Sequence, residues 1–324
     1  MKLGIIGSGM IVEAFLPQLI TISDLEITVL LGTRRSGEKI RKLCEEYRIT
    51  LGVTDFDEFL AAGPKIAYIA VPNHLHYDYC RRCLEAGLHV IVEKPMTAAY
   101  DQAQKLAALA EDKHRMLFEA VTTPYLNAFA RIVGWLPRIG RIRLVQSQYS
   151  QYSSRYNAFR RGEVLPAFDP AKAGGALMDL NVYNLHMLVN LFGAPESFQY
   201  HANIIRGIDT SGVLTLQYPD FTAVCVAAKD SRGLTGTFLQ GEDGWIRTDF
   251  GPNVIGNVTL ELNDGTKENF TMEDPRKRVI PEFEEFLRCI REDDEESCHR
   301  AMEKSLTVSR ICCEALWQAG ITFS

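Results

Sequence analysis

The chain has 324 residues, a formal net charge of −6 and no basic run, which suits two domains of ordinary size and excludes a nucleic-acid surface, where clustered Lys and Arg must face phosphates. An apolar strand begins by residue 3, leaving no room for a signal peptide. No apolar run approaches the ~20 residues that span a bilayer, so a cytoplasmic protein with a small-molecule partner is expected.

Residues 2–6 read as a strand, followed by G-S-G-M-I-V (Gly7 to Val12) and an apolar-periodic helix to about Ile22. Strand, glycine turn, helix is the setting of a dinucleotide fingerprint. Gly7 permits the tight turn and Gly9 lets a pyrophosphate approach. Ser8, Met10 and Ile11 carry the turn into the helix N-terminus, where N–H groups and dipole favour phosphate. Val12 holds the third glycine position, and Pro17 is expected to kink the helix. A second strand, 26–31, runs into Gly32, Thr33, Arg34 and Arg35 with no acid to bind the ribose hydroxyls. These residues favour NADP over NAD. A helix over 37–47, a strand over 50–53, a helix over 56–62 and a strand over 65–71 continue the alternation. The last of these stops at Val71, Pro72, Asn73, His74, Leu75 and His76. Val71, Pro72, Asn73 and His76 are assigned to the cofactor cleft, with His76 also packing the helix 77–86.

The stretch Leu88 to Thr97, L-H-V-I-V-E-K-P-M-T, is an apolar strand that ends on Glu93, Lys94 and Pro95. Proline disfavours helical backbone in the residue before it, so Lys94 is held extended at the sheet edge where ligands bind. Glu93 and Lys94 are therefore placed at the cofactor. A helix over 100–113 and a strand over 116–119 complete a doubly wound parallel sheet, and the first domain is expected to span 1–120.

The second domain, 121–324, opens with a helix over 127–136 and a strand over 142–149. A polar, aromatic loop through Tyr152, Arg155, Tyr156, Arg160 and Arg161 follows. It suits a hydroxyl-rich ligand or a subunit contact; Arg155 and Tyr156 are substrate candidates. A helix from Gly174 to Gly193 carries Asp179, Tyr183 and His186 four and three residues apart, so one face presents all three. Period-two strands with turn punctuation then run to Met272, including an Asp264-Gly265 hairpin turn. They predict an open antiparallel sheet with one apolar face left over, hence a homo-oligomer, most simply a dimer. Helices over 281–291 and 299–319 close the chain, joined by the acid run Glu292 to Glu296 as a solvated link. The eight cysteines are scattered through helical patterns, and no disulfide is expected. Cys80 and Cys83 have C-x-x-C spacing but no second ligand pair, so no metal is assigned.

Three motifs stand in order: G-S-G-M-I-V, then E-K-P about ninety residues from the glycine turn, then G-G-A-L-M-D-L-N-V-Y. Together they resemble the Gfo/Idh/MocA family of NAD(P)-dependent oxidoreductases over nearly the whole chain. The resemblance implies a Rossmann domain followed by an α+β domain whose open sheet makes a subunit interface, with the nicotinamide between them. It also allows a cis bond between Lys94 and Pro95. It makes Lys94 a catalytic or substrate-positioning residue and matches Asp179 to the family's aspartate. Tyr183 stands where many members have histidine. The members similar to glucose-fructose oxidoreductase, dihydrodiol dehydrogenase and xylose dehydrogenase share it, which favours sugars and vicinal diols over inositols. His186 stands where an aspartate is frequent and is assigned to substrate.

The physical reason for a lysine–tyrosine pair is charge. A phenol of pKa ~10 is a poor base near neutrality, but an ammonium within ~4–6 Å lowers it by about 1 to 3 units. Tyr183 would accept the hydroxyl proton as hydride leaves the same carbon, Lys94 would hold the oxygen, and Asp179 would orient the neighbouring group. Two alternatives stay open: a cofactor-binding sensor without turnover, and a reductase of an imine or tetrapyrrole. The polar loop after Tyr149 fits hydroxylated substrates better.

Overall fold

Short apolar segments separated by glycine and proline turns become strands β1 (Lys2–Ile6), β2 (Glu26–Leu31), β3 (Leu51–Val53), β4 (Ile66–Ile69), β5 (His89–Glu93) and β6 (Leu117–Ala120). Between them lie helices α1 (Met10–Leu19), α2 (Gly37–Tyr47), α3 (Phe56–Ala61), α4 (His76–Glu85) and α5 (Tyr100–Asp112). The strands are parallel and ordered β3-β2-β1-β4-β5-β6. Strand order reverses between β1 and β4, which makes the carboxyl ends of these two strands the crevice where such sheets bind ligands. Residues Ile66 to Ile69 of β4 are all fully buried, as expected of a parallel strand covered on both faces. Pro17 lies inside α1, which runs on to Leu19.

The computed structural model describes residues 1–272 and 274–323. The chain divides into one unit of Met1–Ala120 with Val279–Glu303, and another of Val121–Arg278 with the residues from Lys304 onward. The expected division placed everything after residue 120 in the second domain. Residues 279–303 belong instead with the parallel sheet, because the amphipathic helix among them buries two phenylalanines there. The ring of Phe283 meets Tyr68 edge-on at 5.2 Å, and Phe286 stacks on Phe118 at 4.5 Å. Periodicity identifies such a helix but does not say which sheet it covers.

The second unit contains α6 (Asn127–Trp135), β7 (Ile142–Ser150), α7 (Tyr156–Arg160) and α8 (Val182–Phe192). Strands β8 (Ser197–Ile205), β9 (Ile208–Gln217), β10 (Thr222–Ala228), β11 (Thr235–Gly241), β12 (Gly244–Thr248), β13 (Val258–Leu262) and β14 (Lys267–Phe270) follow. Helix α9 (Val279–Glu292) belongs to the first unit, and α10 (Glu295–Gln318) runs from the first unit into the second. The eight-stranded sheet has the order β14-β13-β12-β11-β7-β10-β9-β8. It is not wholly antiparallel, since β10 pairs with β7 in parallel. The long excursion between them, through α7, α8 and the β8–β9 hairpin, returns the chain in the same direction. One face buries Val145, Leu214, Leu216, Cys225, Leu239 and Ile246 in a core shared with α8 and the end of α10. On the other face Val213 is exposed, and Val224, Val226, Phe238 and Trp245 are half-buried.

One local expectation changes and another gains a detail. The predicted helix from Gly174 begins as a π-helical turn, Leu177–Asn181, and becomes α-helical only at Val182. The acid run is exposed at Glu292, Asp293, Glu295 and Glu296, as a solvated link should be, and its half-buried member Asp294 also caps α10. Asp294 Oδ1 accepts the amide of Ser297 at 3.0 Å, and its other oxygen pairs with Arg288 at 2.7 Å.

Candidate active site

In the first unit the assigned residues gather at the carboxyl edge of the parallel sheet. Gly7 has φ +124°, and a Cβ there would lie 2.2 Å from the Ala70 carbonyl oxygen at the end of β4. Only glycine allows β1 to turn this close to its neighbour. Gly9 precedes α1 without a side-chain cap, and no atom lies within 4 Å of where its Cβ would project. The first turn of α1 is thus left open to an incoming anion, with Ser8 and Ile11 half-buried and Met10 exposed beside it. After β2, Thr33 and Ser36 close a capping box, and between them Arg34 and Arg35 are exposed. Val71 and Asn73 are half-buried and Pro72 is exposed after β4. A glycine cradle, an uncapped helix start and an exposed arginine pair on one sheet edge fit a dinucleotide with a 2′-phosphate.

The end of β5 is held by buried polar groups. Glu93 is 8% exposed and accepts the Tyr68 hydroxyl at 2.5 Å. Burial raises its pKa, against the opposing pull of that hydrogen bond and of Lys94. The amide of Met96 donates to Glu119 Oε1 at 2.8 Å. The bond from Lys94 to Pro95 is cis, and Lys94 itself is half-buried.

His76 departs from its assignment. It is fully buried, with Nδ1 2.9 Å from the Pro95 carbonyl oxygen and Nε2 2.9 Å from that of Val71. A ring with no accessible surface cannot line a cofactor cleft. It ties the loop after β4 to the loop after β5, and burial lowers its pKa. Glu93, almost as buried, likewise supports Lys94 and does not face solvent.

In the second unit Asp179 lies inside the π-helical turn while Tyr183 and His186 lie in α8, so the expected α-helical spacing is interrupted between Asp179 and Tyr183 and kept between Tyr183 and His186. Asp179 has a 40% exposed side chain and Tyr183 is half-buried, whereas His186, assigned to substrate, is 2% exposed and presents almost no surface for that role. Tyr183 lies against Tyr149 with ring centroids 6.0 Å apart. The turn is anchored to the sheet by asparagines. Asn184 donates to Asn181 Oδ1 at 2.7 Å and to the Val226 carbonyl at 3.1 Å, while Ser147 donates to Asn184 at 3.0 Å. Its first amide, Leu177, donates to Asp209 at 2.6 Å, and the Tyr200 hydroxyl donates to the same carboxylate at 2.8 Å. Burial pushes the Asp209 carboxyl up to about 6. Tyr156 packs at 5.7 Å from Phe168 in a cluster with Phe159, and Arg155 precedes α7. Sequence reasoning passed over Lys229 and Asp209. Both are charged residues in or just after a strand that reads as ordinary sheet, and only their burial marks them.

Residues 1–121 match the oxidoreductase family with NAD-binding Rossmann fold, GFO/IDH/MocA, and residues 137–247 match the GFO/IDH/MocA C-terminal domain. A scyllo-inositol 2-dehydrogenase (NADP(+)) from Bacillus subtilis is 34% identical over 324 residues, covering 99% of this chain and 98% of that protein. The chain belongs to the Gfo/Idh/MocA oxidoreductase family. A second relative, trans-1,2-dihydrobenzene-1,2-diol dehydrogenase from Mus musculus, is 24% identical, covering 100% of this chain and 98% of the relative. Among solved folds, a 3-ketoreductase from Actinomadura kijaniata in complex with NADP and TDP-benzene superposes with a TM-score of 0.84. It is 20% identical, and the match covers 100% of this chain and 98% of that one. Membership makes the first unit an NAD-binding Rossmann domain and the protein an oxidoreductase. Among the described residues no helix is long and apolar enough to cross a membrane.

Proposed function

We propose that this Gfo/Idh/MocA protein is an NADP-dependent dehydrogenase of cyclitols, sugars or vicinal diols, with Lys94 and Tyr183 serving a single proton transfer. The observation that carries the reading is the E-K-P strand end, where buried hydrogen bonds from Tyr68 to Glu93, from Met96 to Glu119 and between His76 and the Pro95 carbonyl fix the main chain on either side of the half-buried Lys94. NADP, when bound, supplies the hydride acceptor. Tyr183 takes the hydroxyl proton, Lys94 holds the same oxygen and stabilises the phenolate, and Asp179 accepts a hydrogen bond from an adjacent hydroxyl. The loss of one hydride and one proton turns the alcohol into a carbonyl, and the reverse direction uses the same groups. Arg34, with Arg35, supports the preference for NADP.

The presence of Tyr183 pointed away from inositols. The relative at 34% identity is named for scyllo-inositol, which returns cyclitols to equal standing in this proposal. Purified protein assayed with NADP and with NAD against scyllo-inositol, myo-inositol, D-xylose and a trans-diol is expected to reduce NADP with at least one of them. Tight NADP binding with no turnover across the panel would instead indicate a sensor. The outward sheet face bearing Val213, Val224, Phe238 and Trp245 supports a homodimer. Light scattering at micromolar concentration is expected to give twice the monomer mass, and a monomer mass refutes it.

A further inference from the structure

Lys229 follows β10 directly and is 2% exposed. An ammonium out of water is strongly unfavourable unless its donors are met, and here they are. Nζ lies 2.8 Å from Asp179 Oδ2, 2.6 Å from the Ala167 carbonyl oxygen and 3.5 Å from that of Gly175. It also sits 4.7 Å from the centroid of the Phe168 ring. The Lys229 main chain is held as firmly, its amide donating to Thr210 and its carbonyl accepting from Ser153. One residue thus ties together β9, the polar loop after β7, the stretch 167–175 and the π-helical turn. All of these lie within the second unit.

The other acids nearby are bound by other donors, although Asp209 keeps Oδ1 buried without a hydrogen-bond partner and also feels the charge of Lys229. Asp209 accepts from Leu177 and Tyr200, and Asp230 accepts from Thr210 and Ser211. Asp179 differs in being 40% exposed on one side while its Oδ2 meets a fully buried cation on the other. A half-exposed aspartate on an ordinary surface would sample several rotamers. This one is pinned from below, at the point where the helix is π-wound.

We propose that Lys229 is a positioning residue for substrate, acting through Asp179 by fixing the direction in which that carboxylate meets a substrate hydroxyl. The inference rests on the reading of Asp179 as a substrate-orienting group. Lys229 touches neither substrate nor cofactor. It turns a mobile surface carboxylate into a preorganised acceptor, and it holds Ala167 and Gly175 against the same point.

The test is a double-mutant cycle on the full-length enzyme with NADP and the best substrate of the panel above. Lys229→Gln removes the charge while keeping a donor for the two carbonyls. It is expected to raise KM on the order of 10-fold, the scale of one charge-assisted hydrogen bond, with a smaller change in kcat and unchanged NADP affinity by fluorescence titration. In an Asp179→Asn background the same substitution is expected to add little, because the interaction it serves is already gone. Lys229→Arg is expected to recover part of the lost KM. An equal rise in KM in both backgrounds overturns the role of Lys229 and leaves that of Asp179 standing. An unchanged KM in Asp179→Asn alone overturns both. Should Lys229→Gln fail to fold, the cycle run with Lys229→Arg decides on the same criterion: a KM change that persists in the Asp179→Asn background overturns the proposal.

Discussion

The two regions assigned to function are built from different materials. At the edge of the parallel sheet, position comes from the main chain: Gly7 turns against Ala70, Gly9 leaves space before α1, and Lys94 stands where β5 meets proline. At the start of α8, position comes from side chains. Lys229 pins Asp179, Asp209 takes the first amide, and Asn181 with Asn184 stitches the π-helical turn to β10. A main-chain site suits a cofactor whose phosphates and ribose are constant, because backbone N–H groups recognise anions whatever lies beyond them. A side-chain site can be altered one residue at a time, which is how one fold accommodates many substrates.

The largest expected effect tests whether the two regions serve one step. Lys94→Ala should lower turnover on the order of 100-fold or more with NADP affinity nearly intact, as for loss of general acid–base catalysis. Tyr183→Phe should match it, and the double mutant should be little worse than either, since both serve one proton transfer. Additive losses in steady-state kinetics would separate the two regions.

Next in size is a contrast within the main-chain region. Gly7→Ala places a methyl group 2.2 Å from the Ala70 oxygen at φ +124°, and the backbone strain alone is worth about 1–3 kcal/mol. Urea unfolding should show at least that loss. Gly9→Ala meets nothing within 4 Å and should change stability by less than about 1 kcal/mol, while weakening NADP because the methyl occupies the approach to the helix N-terminus. Equal stability losses for the two would mean that Gly9 is structural as well.

A smaller effect concerns the exposed arginines. Arg34→Ala should weaken NADP by roughly 10-fold or more, the scale of one charge-assisted contact, and leave NAD binding unchanged. Titration showing the same loss for both cofactors would remove the 2′-phosphate from the account.

The smallest effect is a control at the opposite edge of the parallel sheet. His89 opens β5, accepts the Met116 amide through Nδ1 at 3.0 Å, and is held down to about 4 by burial and by Arg115. Its folded pKa lies below the ordinary ~6.5, so the unfolded chain takes up the proton first. The stabilising contribution is present above pH ~6.5 and is lost as pH falls from there towards 4. Because the ring keeps some access to solvent, the loss should be on the order of 1 kcal/mol. His89→Asn keeps an acceptor for Met116 and should flatten the acid limb of an unfolding series. His76, lowered in the same direction, leaves a residual slope.

What could be read from the chain alone follows the range over which each constraint acts. The alternation of strands and helices, the glycine turn, the arginines after β2 and the E-K-P strand end are local, because a positive φ, a proline ring or a missing acid acts on its immediate neighbours. The three motifs in order were enough to indicate the family. The tertiary structure decided where long-range partners meet. It moved residues 279–303 onto the parallel sheet, took His76 out of the cleft, and turned the first part of the Gly174 to Gly193 helix into a π-helical turn. It also brought Lys229 to Asp179, 50 residues apart in sequence. No period or motif marks a lysine at the end of a strand as buried. Only the assembled second unit removes it from water, and the need to satisfy that charge joins it to the aspartate.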